Sequence, residues 1–317
     1  MAEETKMTRL IADIGGTNAR FALTESDGPV LDERHFLVRD FPDPAAAIET
    51  YLEGRSVDEA VIAVATPVET DVIGFTNSHW TFSISGLQAR LRLRRLSVIN
   101  DFVAQALAMP HLAADELEQI GGDSPAPGRA VGVIGPGTGL GVSSLIPGKI
   151  GWTALPTEGG HVSFAPGNER ESAVLATLRG RFGHVSNERL LSGQGLLNLA
   201  QALAAVDGRP CAASTPEEVN RLARSGDCAS CQEATRLFST LLGSAAGDLA
   251  LIVGARGGVY VAGGVCGRLG PLFDRAAFRE RFVDKGRMRA FLEPIPVWLV
   301  LRGDTGLIGA SHFRTDS

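Results

Sequence analysis

One local pattern occurs twice in this sequence and constrains its fold more than any other feature. An apolar run ends in a turn rich in glycine and threonine, and a second apolar strand follows. The first copy has its strands at residues 10–14 and 19–24, and the second copy has them at residues 130–134 and 140–146. Two strands joined by so short a turn predict a β-hairpin. A single weak repeat of this kind predicts two related halves rather than a repeat array.

The rest of the chain alternates between apolar runs and helical patterns. Further strands are predicted at residues 61–65, 96–99, 257–262 and 295–301, and helices at residues 45–52, 85–91, 102–109, 232–253 and 306–313, with another beginning at Thr215. Strands that alternate with helices predict an α/β fold. The chain of 317 residues is long enough for one large domain or two smaller ones. The breaker-rich segment 121–128 is either a surface loop or a domain junction.

Charge and hydropathy argue against two classes of partner. The 36 acidic residues outnumber the 30 basic ones, so a surface for nucleic acid or for an anionic membrane is not expected. No apolar run approaches the roughly 20 residues that a membrane-spanning helix needs. Residues 1–9 are polar and do not resemble a secretory signal peptide. We therefore expect a cytoplasmic protein with no membrane partner and no nucleic-acid partner.

The four cysteines are consistent with that compartment, because thiols stay reduced in the cytoplasm. Cys228 and Cys231 have the spacing of two metal ligands, and Cys211 is a potential third ligand. No second pair of this spacing accompanies them. A zinc site and a plain structural pair are both open, and the residues alone favour the structural pair.

The two glycine-threonine turns carry the clearest chemical signal. Glycine makes up 38 of the 317 residues, which is well above the usual share. Residues without a Cβ let main-chain N–H groups approach an anion. Gly16-Thr17 and Gly137-Thr138 are therefore suited to bind phosphate from two sides, with ordinary hairpins as the alternative. Neither turn has the glycine pattern of a dinucleotide-binding fold or of a P-loop.

Acidic residues follow two of the apolar strands. Asp13 is flanked by apolar residues, and a buried carboxylate needs a partner. That partner is either a hydrated Mg²⁺ ion or a hydrogen bond from the adjacent turn. Asn100 and Asp101 follow the strand at 96–99, where α/β sheets bind their ligands. Both residue types also favour the N-cap position, so spacing alone leaves binding and capping equally open.

Three more polar residues lie in the middle of the chain. Glu158 and His161 are separated by two glycines, which lets both side chains face one small polar ligand. Glu188 follows in a second polar segment. His161 and His184 lack the context of a zinc-protease motif. Taken singly, each of these residues is also explained as a solvated or satisfied polar group.

Together these segments resemble the bacterial glucokinase family, the hexokinase-like sugar kinases of the actin-like ATPase superfamily. The resemblance runs from residue 10 to about residue 313. The segments that carry it are residues 13–20, 76–80, 99–102, 135–141, 158–161, 188–193 and 261–264. Each motif is modest by itself, and their occurrence in this order is highly specific.

The resemblance implies a two-domain α/β fold of the actin-like ATPase type, which is ribonuclease H-like, with the active site in the interdomain cleft. The smaller domain would hold residues 1–110 and 302–317, and the larger one residues 111–301. The implied reaction is the transfer of a phosphoryl group from ATP to the 6-hydroxyl of D-glucose, with Mg²⁺ as cofactor. The family is usually homodimeric, which implies a homodimer here.

The resemblance also implies roles for individual residues. Asp101 would be the base that activates the sugar hydroxyl. The sugar would be bound by Asn100, Asp101, Glu158, His161 and Glu188. The nucleotide would be bound by Asp13, Gly15, Gly16, Thr17, Asn18, Gly137, Thr138, Gly139, Gly263 and Gly264, with Asp13 holding Mg²⁺ through water and the last two glycines approaching the adenosine.

The sequence departs from the family pattern in two respects, and three other functions are alternatives to the one that the resemblance implies. Pro136 lies within the second turn and removes one possible N–H donor there. The cysteine-rich zinc motif of the repressor-related sugar kinases is absent from the sequence, as is an extra N-terminal helix-turn-helix. A non-catalytic sugar sensor is the rival from another class, and the closer rivals are a kinase for another hexose and a kinase that uses polyphosphate.

Overall fold

The computed structural model describes residues 8–25, 28–75, 78–149 and 151–314. The strands within these ranges are β1 (Thr8–Ile14), β2 (Asn18–Glu25), β3 (Leu31–Leu37), β4 (Glu59–Val64), β5 (Val72–Gly74), β6 (Thr81–Ser83), β7 (Arg95–Asn100), β8 (Leu117–Gly121), β9 (Val131–Pro136), β10 (Leu140–Pro147), β11 (Trp152–Thr157), β12 (Val259–Val261) and β13 (Val297–Val300).

The helices in the same ranges are α1 (Pro44–Leu52), α2 (Ile84–Arg90), α3 (Asp101–Ala108), α4 (Glu169–Phe182), α5 (Gly193–Val206), α6 (Pro216–Ser225), α7 (Ala229–Val253), α8 (Gly264–Leu269), α9 (Arg275–Val283), α10 (Arg289–Leu292) and α11 (Thr305–His312). The chain forms two compact units. The first unit contains the described residues up to Leu112 and those from Asp304 onward, and the second unit is Ala113–Gly303.

The sheet of the first unit has the strand order β3-β2-β1-β4-β7. β1 pairs antiparallel with β2 and parallel with β4, and β4 pairs parallel with β7. All six residues of β4 are buried, as expected for a central strand covered on both faces. The helices α3 and α11 pack against each other, and α11 also contacts β1.

Polar N-caps mark where α1 and α2 of the first unit begin. Asp43 accepts the N–H of Ala46 at 2.8 Å in front of α1, and Ser83 accepts the N–H of Gly86 in front of α2. Such caps satisfy N–H groups that have no partner within the helix. The helices predicted at residues 45–52 and 85–91 are confirmed to within one residue at each end.

The sheet of the second unit has the order β11-β10-β9-β12-β13-β8. β9 pairs antiparallel with β10 and parallel with β12, and β12 pairs parallel with β13. From β2 to β7 in the first sheet and from β10 to β13 in the second, the order and the directions of pairing are therefore the same. The internal repeat predicted from the two hairpins is confirmed at the level of sheet topology.

The helix α7 forms the centre of the second unit's core and packs against α9, α5 and α6. Gly243 and Gly247 lie one turn apart on α7. A Cβ at either position would collide with the main chain of α9 at Phe278 or Phe282. The two glycines therefore let α7 and α9 approach closely, and both phenylalanines are fully buried.

The helix α7 contradicts one prediction that was made from the hydropathy of the sequence. Within the described residues, α7 is the one helix that is long and apolar enough to span a membrane by length and composition. The statement that no apolar run approaches that length is therefore wrong for residues 229–253. In this structure 56% of its most apolar window is buried inside the protein, and its apolar character is accounted for by its place in the core.

Candidate active site

The first glycine-threonine turn connects β1 to β2. The N–H of Gly15 donates to the carbonyl of Asn18 at 2.9 Å, and the carbonyl of Thr17 accepts the N–H of Val38 at 3.0 Å. These two bonds fix the turn, and no described residue accepts the N–H of Gly16 or Thr17. A cavity of about 410 Å³ opens beside them, lined by Gly16, Thr17, Leu37, Val38, Arg39, Ser78 and His79. Main-chain N–H groups left open in this way can bind an anion.

The second turn connects β9 to β10 and is closed in a related way. The N–H of Gly137 donates to the carbonyl of Gly139 at 2.8 Å. The carbonyl of Gly137 accepts the N–H of Gly193, the first residue of α5, at 2.9 Å. Among the described residues, none accepts the N–H of Thr138 or Gly139. This turn therefore also has main-chain donors available for a ligand.

Pro136 does not interrupt the second turn. It is the last residue of β9 and pairs with Leu140 across the hairpin. The N–H that proline lacks is therefore missing from a strand end, and the donors of the turn itself are unaffected. The expectation that Pro136 lies within the turn is wrong in this respect.

Asp13 lies near the end of β1, opposite Arg20 on β2. The closest atoms of the two side chains, Asp13 Oδ2 and Arg20 Nη1, are 3.8 Å apart. A Cβ on Gly306, in the first turn of α11, would come within 2.8 Å of the Asp13 carboxyl carbon. Burial raises the pKa of Asp13, and the nearby Arg20 guanidinium acts in the opposite direction. The carboxylate is held between a strand and a helix N-terminus, where negative charge is favourable.

Asn100 and Asp101 occupy the junction of β7 and α3. The N-cap of α3 is Asn100, whose Oδ1 accepts the N–H of Phe102 at 2.9 Å. Asp101 Oδ1 shares the same N–H at 3.0 Å, and Asn100 Nδ2 donates to the carbonyl of Thr66 at 3.4 Å. The capping alternative is confirmed for Asn100. Asp101 is the first helical residue and is half-buried, so its carboxylate has a fixed orientation.

Glu158 precedes the 3-10 turn Gly159–His161, and His161 is its last residue. Their side chains approach each other to 3.8 Å, from Glu158 Oε2 to His161 Nε2, and each remains 59% exposed. The two glycines between them pack directly on β10. A Cβ at Gly159 would lie 2.9 Å from Val142 Cγ1, and one at Gly160 would collide with the carbonyl of Leu140. Glycine is required here because the turn lies flat against the strand.

Glu188 is half-buried in the 3-10 turn Asn187–Arg189. Its Oε2 accepts the main-chain N–H of Leu140 at 2.9 Å. Leu140 is therefore the common neighbour of three predicted sugar ligands, because its N–H binds Glu188 and its carbonyl lies against the turn that carries Glu158 and His161. A Cβ on Gly139 would collide with the Glu188 carboxylate. The second glycine-threonine turn and a predicted sugar ligand are therefore directly in contact.

A second cavity, of about 330 Å³, extends from the second turn. It is lined by Gly137, Thr138, Gly193, Gln194, Leu196, Pro216, Glu217, Asn220, Val265, Arg268 and Leu269. Gly263 and Gly264 precede this wall. Gly263 has a φ of +82°, and a Cβ on it would lie 2.5 Å from the carbonyl oxygen of Pro136. Only glycine allows β9 and the start of α8 to approach so closely.

Residues of α5, α6 and α8 in this wall were missed by the sequence interpretation. The sequence does mark the start of α6, because Thr215 caps the helix and Pro216 follows. That signal predicts where the helix begins, but it does not predict that the helix lines a cavity. Thr76 and Asn77, which belong to one of the segments behind the family resemblance, lie outside the described residues.

The cysteines have structural positions in the second unit. All four are free thiols, and Cys228 Sγ accepts the N–H of Cys231 at 3.4 Å as the N-cap of α7. Within the described part of the chain, no group of three His, Cys, Asp or Glu residues is placed to hold a metal ion. The capping geometry accounts for the spacing of Cys228 and Cys231 without a metal.

Comparison with known proteins gives one consistent result. A family model described as glucokinase matches residues 10–317. The glucokinase of Chromobacterium violaceum is 48% identical over 311 residues, which cover 97% of this chain and 89% of that protein. The glucokinase of Paramagnetospirillum magneticum is 45% identical over 97% of both chains. The crystal structure of a glucokinase from an Antarctic psychrotroph is similar with a TM-score of 0.88 at 36% identity, over 96% of this chain and 98% of that one.

Proposed function

The chain belongs to the glucokinase family, and we propose that it transfers the γ-phosphoryl group of ATP to the 6-hydroxyl of D-glucose, giving glucose 6-phosphate and ADP. This reaction is the first step of glucose use in glycolysis. The observation that carries the proposal is the junction of β7 and α3. There Asp101 follows directly on the buried end of a parallel strand, and its carboxylate is oriented by the N–H of Phe102.

Asp101 acts as the general base. The sugar hydroxyl must lose its proton as the phosphorus–oxygen bond forms, and a carboxylate within hydrogen-bond reach can accept it. Phosphoryl transfer passes through a loose transition state, so the protein contributes mainly alignment and charge stabilisation. Asn100 holds the start of α3 in place through its cap, and its amide contributes to binding of the sugar.

Glu158, His161 and Glu188 bind further hydroxyls of the sugar. Glu158 and His161 approach each other to 3.8 Å, so one ligand hydroxyl can contact both. A site made of several fixed acceptors and donors rejects a sugar with one misplaced hydroxyl, because a polar group of the protein would then be left unpaired. Glucose selectivity is thus assigned to these side chains.

The two glycine-threonine turns bind the phosphates of ATP. Each turn has two consecutive main-chain N–H groups without an acceptor in the described part of the chain, Gly16 with Thr17 and Thr138 with Gly139. Preorganised N–H donors of this kind stabilise charge that develops during transfer. The threonine hydroxyls add a further donor in each turn.

The donor set around Asp13 fits Mg²⁺ held through water. Mg²⁺ keeps several waters and uses one or two carboxylates together with substrate phosphates. Asp13 is such a carboxylate, and the absence of a Cβ at Gly306 lets α11 pack closely against it. Mg²⁺ held there would supply charge neutralisation to the phosphates of ATP. Asp13, fixed between β1 and α11, would hold the ion through water.

Domain organisation, assembly and location are parts of the same proposal. We assign the first unit to the smaller domain of the family and the second unit to the larger one. We expect a homodimer, which sedimentation velocity tests directly. We also expect a cytoplasmic location, because the four free thiols are stable in a reducing compartment. The net charge of −6 argues against a nucleic-acid partner.

The testing experiment couples ADP release to a dehydrogenase readout, with glucose and ATP as substrates and Asp101→Asn as the matched inactive protein. A non-catalytic sugar sensor would bind glucose and release no ADP. A panel of hexoses and of donors that includes polyphosphate separates the closer rivals. Turnover confined to another hexose, or to polyphosphate, would contradict the proposed substrates.

A further inference from the structure

We propose that Arg268 binds the adenine ring of ATP by stacking its guanidinium plane on the base, and that Asn220 positions Arg268 for this role. The inference rests on the proposed function, because it assumes a nucleotide donor. It assigns the base-binding role to a side chain, whereas the family resemblance assigns only Gly263 and Gly264 to the adenosine.

The residues that line the cavity beyond the second turn offer two kinds of contact, one suited to phosphate and one suited to a base. The phosphate end is the turn itself, with its N–H donors at Thr138 and Gly139. Apart from the polar side chains of Gln194, Glu217, Asn220 and Arg268, the other side chains of the lining are apolar and belong to Leu196 of α5, Pro216 of α6, and Val265 and Leu269 of α8. Phosphate groups are poorly accommodated by such walls. A planar heterocycle gains from them.

Arg268 lies on this wall, and its charge has no protein partner there. Some arginines of the second unit form ion pairs, such as Arg170 with Asp207 and Arg281 with Glu171. No carboxylate in the described part of the chain pairs with Arg268. Its Nη1 is 2.7 Å from where a Cβ of Gly264 would be, so the guanidinium is folded over the first turn of α8. A planar cation in this position is available to stack on an aromatic base.

Asn220 connects Arg268 to α6. Its Nδ2 donates to the main-chain carbonyl of Arg268 at 2.8 Å. That carbonyl is near the end of α8, where helix carbonyls have no intrahelical partner. The bond therefore fixes the turn of α8 from which the Arg268 side chain extends.

The same asparagine is a poor choice for stability alone. Its Oδ1 is buried and has no hydrogen-bond partner among the described residues, and an unsatisfied buried acceptor destabilises the folded state. A residue that costs stability while it anchors Arg268 is best explained by a role in binding. Asn220 is accordingly a positioning residue.

The test measures binding of ADP, adenosine and tripolyphosphate by titration calorimetry, without glucose. Arg268→Ala removes the guanidinium, Arg268→Lys keeps the charge and removes the plane, and Arg236→Ala is the control for loss of an exposed arginine. Both Arg268 variants are expected to weaken ADP and adenosine about tenfold and to leave tripolyphosphate binding unchanged. The control should match the wild type for all three ligands.

Two results would overturn the role of Arg268. Wild-type ADP affinity in Arg268→Lys would show that the plane is not used. An equal loss of ADP and tripolyphosphate binding in Arg268→Ala would make Arg268 a phosphate ligand. Because these measurements need no sugar, they are independent of glucose turnover. A chain that binds ADP through Arg268 and fails to phosphorylate glucose would contradict the proposed function alone.

Asn220→Ala tests the positioning role. It is expected to weaken ADP binding severalfold without lowering the melting temperature, since it also removes the unsatisfied acceptor. In the Arg268→Ala background it should cause no further loss of ADP affinity, because the two residues act in one chain of contacts. Additive losses, or a lowered melting temperature with unchanged ADP affinity, would show that Asn220 is only structural.

Discussion

Glu188 Oε2 accepts the main-chain N–H of Leu140 at 2.9 Å. This bond joins a predicted sugar ligand to the first residue after the second phosphate turn. The contact is tight, because a Cβ on Gly139 would collide with the same carboxylate. The orientation of the turn and that of the Glu188 carboxylate are therefore set together, and substitution of Glu188 has consequences for both substrates.

Substitution of Glu188 by Gln and by Ala should give different kinetic results. Gln retains an amide oxygen that can accept the N–H of Leu140, so the KM for ATP should stay near wild type while the KM for glucose rises about tenfold or more through loss of a charged acceptor. Ala removes both interactions and should raise both KM values. Steady-state kinetics with each substrate varied in turn provides the measurement. An unchanged KM for ATP in Glu188→Ala would show that the bond to Leu140 does not support the turn.

Asp101→Asn should abolish most turnover and leave glucose binding in place. The amide keeps the size of the side chain and an oxygen that can accept the N–H of Phe102, but it cannot accept the proton of the sugar hydroxyl. We expect kcat to fall by about 10²–10⁴-fold, the range for loss of a general base. Asp115→Asn, at an exposed position, is the control. Near-normal kcat in Asp101→Asn would leave Asp101 as a residue of the first helical turn only.

Gly137→Val tests whether the second turn binds ATP through its main chain. No atom lies within 4 Å of a Cβ built on Gly137, so the variant should fold, and the added bulk should meet only the ligand. The KM for ATP should rise strongly, and glucose affinity should change little. Gly180→Val, at an equally open position in α4, controls for the substitution itself. Loss of glucose affinity with ATP affinity retained would mean that the turn is wrongly assigned.

Glucose alone should raise the melting temperature of the protein. A ligand at a hundredfold its Kd stabilises the folded state by about 2.7 kcal/mol. Glu158→Gln should reduce the shift, because a neutral amide replaces a charged acceptor at a sugar hydroxyl. Differential scanning fluorimetry over a glucose titration measures the effect. A normal shift together with a normal KM for glucose would remove Glu158 from the site.

The pair of Glu118 on β8 and Arg275 on α9 should make stability depend on pH in the acid range. Arg275 Nη2 donates to Glu118 Oε2 at 2.9 Å, and this bond lowers the pKa of Glu118 below its usual value of 4.5. A carboxyl group with a lowered folded-state pKa stabilises the fold above the unfolded-state pKa, and that contribution is lost as pH falls through the folded-state pKa.

Glu118→Gln should therefore lower the melting temperature slightly at pH 7, by an amount that corresponds to under about 1 kcal/mol for so exposed a pair. The difference from wild type should disappear as the pH is brought below the lowered pKa. Glu280→Gln, an exposed position on α9, is the control. A difference that persists unchanged in acid would show that the ion pair does not carry the stabilisation.

Local signals in the sequence predicted much of the fold. The two hairpins, the start of α6 and the apolar strands β4 and β7 are encoded by neighbouring residues. The α/β fold of the actin-like ATPase type is confirmed by the similar glucokinase structure. β8 was missed because its pairing with β13 joins segments far apart in the chain. β11 was missed because it is a largely exposed strand at the edge of its sheet, with no apolar alternation to reveal it.

The candidate site was also predictable only in those features that local sequence encodes. The residue types and the turns of the site were readable from the sequence, and the individual roles of these residues stay predictions. The residues that each site residue contacts in space could not be predicted from the sequence. Asp13 lies against Gly306, and Glu188 lies against Leu140, and both contacts join segments distant in sequence. No local pattern encodes such contacts, because they depend on how helices and strands pack.

The contact between Asp13 and α11 has a consequence for how the protein is made. β1 leaves the ribosome before the second unit, whereas α11 follows the whole of that unit. During synthesis the carboxylate of Asp13 therefore cannot contact α11 until the second unit has been translated. The second unit, whose residues are continuous in the chain, can fold before that moment. We expect a nascent chain stalled before residue 305 to contain a protease-resistant second unit and an unfinished first one.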